Sequence, residues 1–293
     1  MRTVTGFILW LLSYLPFAFF HALSWGAARL LFYVIGYRKE VILQNLAIAF
    51  PDRSQAERVA IAKAFYLRFT DTFLESIKML SLSNKQALRR VTLDLGVVDR
   101  LLSEGRSVQL MVAHQFNWEY INLTIPVALR HPFYFVYRPI GNKAMDQLYL
   151  WQRTRLGGRA VSADQFAEKR ELIFSSPSVL ALGADQNPGK PQKALWLEFF
   201  GKPAPFYTGP AKGAIQYDAA MVMLQMERTK RGHYRFTTHL LCEHPAQFSA
   251  EQLTFLYKSE VERVVKADPA NYLWSHRRWR HVWQPEYGLF TGS

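Results

Sequence analysis

The chain opens on a long apolar run. From Gly6 to Tyr37 nearly every side chain is hydrophobic, and the basic residues His21 and Arg29 interrupt the pattern. Pro16 breaks its first part, which predicts two short helices, Phe7–Leu15 and Phe17–Tyr33, or one kinked helix. About 20 apolar residues cross a bilayer as a helix, so residues 1–37 read as a membrane-anchoring segment that spans once or lies as a bent hairpin in one leaflet. A cleaved signal peptide fits less well. Arg2 alone precedes the run, the apolar stretch continues too far, and no small-residue cleavage site follows. Trp10, Tyr14, Trp25, Tyr33 and Tyr37 punctuate the segment as interfacial aromatics do. Arg38 and Lys39 follow at once, which by the positive-inside rule places the rest of the chain on the cytoplasmic side.

Beyond the anchor the periodicity is first helical, then mixed. Residues Asn45 to Leu82 read as helical. Ser54 serves as a cap, and Val59, Ala62, Phe65, Phe69, Phe73 and Ile77 form an apolar stripe expected to be mostly core. From about Val91, short strands alternate with helices. The strands are Ser107–Ala113, Phe133–Tyr137 and Ser178–Gly183, with Met221–Glu227 and Tyr234–Leu240 as a pair around Arg231-Gly232. The helices open at Asn117 and cover Asn142–Arg155, Ala163–Phe174, Ala211–Asp218 and Ser249–Lys266. Such alternation predicts an α/β fold with a mixed central sheet flanked by helices. Residues 38–293 form one domain, with 38–90 as a helical lead-in, and no repeats or low-complexity linkers interrupt it.

Composition narrows the partners. Thirty-six Lys and Arg against 23 Asp and Glu give a formal charge of +13, which favours an anionic partner without naming it. Aromatic residues cluster at the two ends of the chain, as in proteins that meet lipid or an interface. Cys242 is the single cysteine, so an intrachain disulfide and a cysteine-based zinc site are excluded. The chain has no G-x-S-x-G elbow, P-loop, G-x-G-x-x-G or H-E-x-x-H.

The candidate chemistry lies in Val112-Ala113-His114-Gln115-Phe116-Asn117-Trp118-Glu119. A histidine stands where a strand ends and a glutamate falls in the first turn of the next helix, the position where open α/β sheets place ligands. Across that bend Glu119 is expected to accept a hydrogen bond from one ring nitrogen of His114, leaving the other as a base. A lone H-x₄-E is common by chance, and taken alone it is better explained by a histidine satisfied within the fold and a glutamate complementing the helix dipole.

The surrounding blocks carry more weight. Arg38 with Asn45-Leu46 and Phe50-Pro51, the H-x₄-E block, Val136-Tyr137-Arg138-Pro139 and Gly183-Ala184-Asp185-Gln186-Asn187 occur in order. They are followed by Phe199-Phe200-Gly201 through Gly209-Pro210-Ala211, and by Tyr272-Leu273-Trp274-Ser275-His276-Arg277-Arg278-Trp279. Together they resemble the bacterial lipid A biosynthesis acyltransferases of the lysophospholipid acyltransferase superfamily, over nearly the whole chain. The resemblance implies transfer of a fatty acyl chain from acyl carrier protein, or a coenzyme A thioester, to a lipid hydroxyl at the inner membrane. His114 and Glu119 would be the catalytic pair, with no metal or cofactor. Glutamate in place of the superfamily's commoner aspartate favours the lipid A branch. Another membrane lipid as acceptor is the alternative within the enzyme class. A non-catalytic protein binding membrane or nucleic acid through its basic C-terminus is the alternative outside it.

Other residues read both ways. Arg138 follows a strand at the same sheet edge as His114, and its guanidinium suits phosphate. Arg153 and Arg155 complement a helix C-terminus; the resemblance raises Arg153 to the active site. Asp185 either holds an arginine or caps its loop. Gly209 and Pro210 start a helix whose free N–H groups can meet an anion or simply begin the helix. Arg277 and Arg278 belong to a basic, aromatic run that is either substrate-facing or a solvated face.

Overall fold

A computed structural model describes residues 4–292, so Arg2 lies outside the described residues. The apolar N-terminus forms two helices, α1 (Val4–Leu12) and α2 (Phe17–Arg29), and α2 runs on into a π-helical turn at Leu30–Ile35. The break falls at Pro16, which has no N–H to continue a helical ladder. Next come α3 (Lys39–Ala49) and α4 (Gln55–Met79). The helical stretch expected from Asn45 to Leu82 is therefore two helices. Pro51 interrupts it, and a Ser54–Glu57 capping box starts the second.

The second helix is not a free anchor. Phe20, Ser24, Ala28 and Phe32 are buried at a spacing of four and face α4. The apolar stripe of α4 is core at Ala62 and Phe65, but Phe73 is 44% exposed. In that half of the helix the polar Asp71, Thr72, Glu75 and Ser76 are buried instead. The inversion has a cause: Asp71 accepts from Ser24 at 2.6 Å, Arg228 at 2.8 Å and Arg231 at 2.7 Å. Asp71→Ala leaves the enclosed Arg228 and the more open Arg231 without their carboxylate, and a loss of about 3 kcal/mol is expected, read as a lower thermal midpoint in detergent.

A short helix, α5 (Asn84–Leu88), leads into β1 (Val91–Asp94), α6 (Gly96–Ser103), β2 (Val108–Val112) and α7 (Glu119–Ala128). Then come β3 (Phe133–Tyr137), α8 (Lys143–Thr154), β4 (Arg159–Ser162), α9 (Phe166–Ile173) and β5 (Val179–Gly183). The hairpin β6 (Leu195–Phe199) and β7 (Lys202–Phe206) precedes α10 (Gly209–Tyr217), β8 (Ala220–Lys230), β9 (His233–Cys242) and α11 (Ala250–Ala267). The expected α/β architecture holds: seven strands lie in the order β1-β9-β8-β2-β5-β3-β4. Strands β8, β2, β5, β3 and β4 are parallel, and β9 turns back on β8. Alternate residues of β2 serve two cores, Val108 and Leu110 on one face, Met111 and the following Ala113 on the other. The strands β1 and β4 are short and carry two apolar residues each, and Pro203 and Pro205 interrupt the pattern of β7, so these and the separate β6–β7 hairpin are absent from the sequence reading.

Candidate active site

Strands β2 and β5 are neighbours in register, Val112 opposite Gly183. Two residues beyond their ends, at the carboxyl edge of the parallel strands, His114 meets Asp185. The His114 backbone N–H donates to Asp185 Oδ2 at 3.0 Å, and ring Nδ1 lies 2.7 Å from Oδ1. Asp185 is fully buried, while the His114 side chain keeps 30% of its surface open. Gly183 makes the space for it: a Cβ there would stand 3.2 Å from His114 Cε1. The Tyr257 hydroxyl of α11 completes the shell, donating to the Val112 carbonyl at 2.8 Å and accepting from Ala184 N–H at 3.1 Å. Burial disfavours a charged His114, but the charge and hydrogen bond of Asp185 outweigh it, so the imidazole titrates above its ordinary value. Burial works against an ionised Asp185 as well, yet the His114 contacts hold its carboxyl down at about 2. With Nδ1 engaged, Nε2 has no protein partner among the described residues.

Glu119 does not fold back onto His114. It is buried at the head of α7 and takes a two-pronged contact from Arg153, Nε to Oε2 at 2.8 Å and Nη2 to Oε1 at 2.5 Å. Trp118 Nε1 donates to it at 3.1 Å. The expected orientation fails for a geometric reason: the neighbouring strand delivers Asp185 in register, whereas the planar guanidinium of Arg153 matches the carboxylate of Glu119. Burial opposes the charge on Arg153, and Glu119 more than restores it. Arg153→Lys keeps the charge and loses the fork; about a tenfold fall in activity is expected from one weakened charged hydrogen bond, measured as kcat on a folded variant.

The other candidates divide. Asp185 neither holds an arginine nor caps its loop; it holds the histidine. Arg155 donates to the carbonyls of Met79 and Leu82 and ties α8 to the end of α4. Arg138 is exposed at the end of β3, 3.3 Å from the Tyr207 hydroxyl, which donates to the Asn187 carbonyl. Gly209 begins α10 two residues beyond Tyr207, with no side-chain cap at that terminus. Arg278 is 1% exposed and donates to Asn187 Oδ1 and the Pro205 carbonyl, both at 2.9 Å, so it braces the Asp185 loop from inside. Arg277 is exposed and lines two adjoining cavities of about 650 and 470 Å³. The smaller is also walled by Arg38, Asn187, His276, Arg280 and His281. Among the described residues Arg38, Arg277 and Arg280 face no carboxylate at ion-pair distance. Burial and the nearby Arg278 push the His276 imidazole down to about 4, and its Nε2 accepts from the Asn187 N–H at 3.1 Å.

Contacts far apart in sequence explain why the first and last blocks occur together. Arg38 donates to the Ser275 carbonyl at 2.8 Å, and Asn45 to those of Trp274 and His276 at 2.7 and 2.8 Å. Leu273 N–H in turn donates to the His114 carbonyl at 3.0 Å. Sequence reasoning missed Tyr257, which sits on the inner face of an amphipathic helix like any core aromatic. Gly183, the last residue of an apolar strand, was the better signal, because a side chain is absent where the next strand carries a histidine.

Compared with known proteins, residues 3–281 match the family of bacterial lipid A biosynthesis acyltransferases. Over 299 aligned residues the chain is 23% identical to the lipid A biosynthesis lauroyltransferase of Escherichia coli (strain K12), covering 93% of this chain and 89% of that protein.

Proposed function

From the premise that the chain belongs to the bacterial lipid A biosynthesis acyltransferase family, we propose that it moves a fatty acyl chain from an acyl carrier protein thioester to a hydroxyl of a lipid A precursor, with His114 as the general base. The acyltransferase activity itself follows from the family. The observation that carries the finer reading is the part-exposed His114 ring, bound through Nδ1 to a buried Asp185 and without a partner at Nε2 among the described residues.

In this reading Nε2 removes the proton of the acceptor hydroxyl as its oxygen attacks the thioester carbonyl carbon. The tetrahedral intermediate collapses, the carbon–sulfur bond breaks, and the imidazolium returns its proton to the leaving sulfur. Asp185 stabilises the imidazolium and fixes the ring. Glu119 serves indirectly, by holding Arg153 beside the site. The cationic cavity at Arg38, Arg277 and Arg280 shares His276 and Asn187 with the Asp185 loop and suits anionic groups on donor or acceptor. Arg138 and the N–H groups at Gly209 are proposed to face substrate from the neighbouring strand end and helix start.

The N-terminus is proposed to lie in the cytoplasmic leaflet of the inner membrane. Phe7, Ile8, Leu11, Phe19, Leu23, Trp25, Leu30 and Tyr33 are between 47% and 61% exposed, an apolar surface of the kind lipid covers. Contacts from Ser13 with Lys78 to Ser24 with Thr70 and Phe32 with Tyr66 bind the segment along α4. A transverse α2 would draw Lys63, Asp71, Glu75 and Lys78 of α4 toward hydrocarbon at a cost of several kcal/mol, which favours the in-plane hairpin.

The purified protein, offered long-chain acyl carrier protein and a lipid A precursor in detergent, should yield an acceptor heavier by one acyl group in the mass spectrum. Unchanged acceptor, together with transfer to an aminolipid, glycolipid or lysophospholipid, would replace this acceptor with another.

A further inference from the structure

His21 interrupts the apolar N-terminus, and the proposed chemistry leaves it unused. Its Nε2 lies 3.2 Å from Glu75 Oε1 on α4. The other oxygen of that fully buried carboxylate accepts from the Tyr234 hydroxyl at 2.9 Å and from Asn117 Nδ2 at 3.2 Å. Enclosing a carboxylate is costly unless donors surround it, and these three come from α2, β9 and the loop between His114 and Glu119.

Asn117 is buried too, and its Oδ1 has no partner among the described residues. Turning the amide over would set that oxygen against the carboxylate, so Glu75 dictates how the amide faces. The Asn117 carbonyl accepts from Tyr120 N–H at 3.2 Å, opening the turn in which Glu119 stands. On the other side, Arg231 donates to the His21 carbonyl at 2.7 Å and Ser24 donates to Asp71, so α2 is seated on the same polar layer.

We propose that Glu75 is a positioning residue for the His114–Glu119 loop, and that its bonds to His21 and Asn117 make the geometry of that loop depend on the seating of the membrane-facing helix α2. The inference rests on the proposed assignment of His114 as the base. Acyl transfer is then coupled to membrane docking: a chain whose α2 is lifted from α4 has its loop released as well.

Amide hydrogen exchange over residues 115–121, with kcat and KM, tests this on the full-length protein in nanodiscs. Glu75→Gln and His21→Leu should each speed exchange in that loop, and lower kcat about ten- to a hundredfold by misplacing the site, with KM for the acyl thioester within about twofold. His21→Gln, which restores a donor to Glu75, should recover most of both. His21→Leu removes a single bond at a half-buried position and keeps the test informative if Glu75→Gln does not fold. Loop exchange and kcat unchanged in the folded variants would overturn the proposal, as would faster exchange spread evenly over β2, β5 and β8. Exchange needs no turnover, so this result is separable from whether His114 is the base.

Discussion

His114→Ala is expected to lower acyl transfer by about 10²–10⁴, the usual contribution of a positioned general base. The variant should stay folded and membrane-bound. His114 is part-exposed and the Asp185 carboxylate keeps the His114 backbone N–H as a donor, so the fold should survive with a lower thermal midpoint from the loss of the ring's bond to buried Asp185. The loss should appear in kcat rather than in KM, since the ring acts on the proton moved in the transition state. Near-normal turnover of the purified variant would remove the proposed mechanism while leaving family and fold untouched.

Asp185→Asn should cost nearly as much, about 10²–10⁴ in kcat, because an amide can hold the ring without stabilising its charge and can select the wrong tautomer. The pH profile carries the sharper signature. In the native protein Asp185 raises the pKa of His114 against the pull of burial. Without the carboxylate burial acts unopposed, so the acid limb of kcat/KM moves to lower pH as the plateau falls. Stability changes in a definite sense as well. Asp185 is held at about 2 from an ordinary 3.8, so its contribution is complete above the ordinary value and is lost as pH falls toward 2. The variant should lack that acid dependence. Glu119→Gln provides the contrast: if Glu119 acts through Arg153, the acid limb stays where it is. A limb that moved with Glu119 and not with Asp185 would return the role of orienting carboxylate to Glu119.

The strands carrying the site were legible because they are apolar on both faces. A run such as Val108–Val112, apolar but for Gln109, marks a central parallel strand, and polar residues at its end mark the site edge. The pairing of His114 was not legible. Spacing along the chain ranks Glu119 first, since it is five residues away and Asp185 is 71. Only the order of strands in the sheet brings Asp185 beside the ring, and strand order is a property of the whole fold. Arg277 and Arg278 show the same limit at finer scale. Adjacent and chemically identical, they have opposite fates: one opens on a cavity, and the other is buried over the Phe206 ring. The buried acids of α4 hid for another reason. Asp71 and Glu75 look like the solvated face of an amphipathic helix until their partners on α2, β8 and β9 are known.

The bonds from Arg38 and Asn45 to residues 274–276, with the Leu273 and Asn271 contacts to the His114 loop, also set an order of events during synthesis. Residues 38–45 and the His114 loop are translated well before residues 271–276, which supply the remaining contacts around the base. Until that last stretch is made the His114 loop lacks these contacts, and the site stays open at one wall while Tyr272 and Trp274 are still missing from the core.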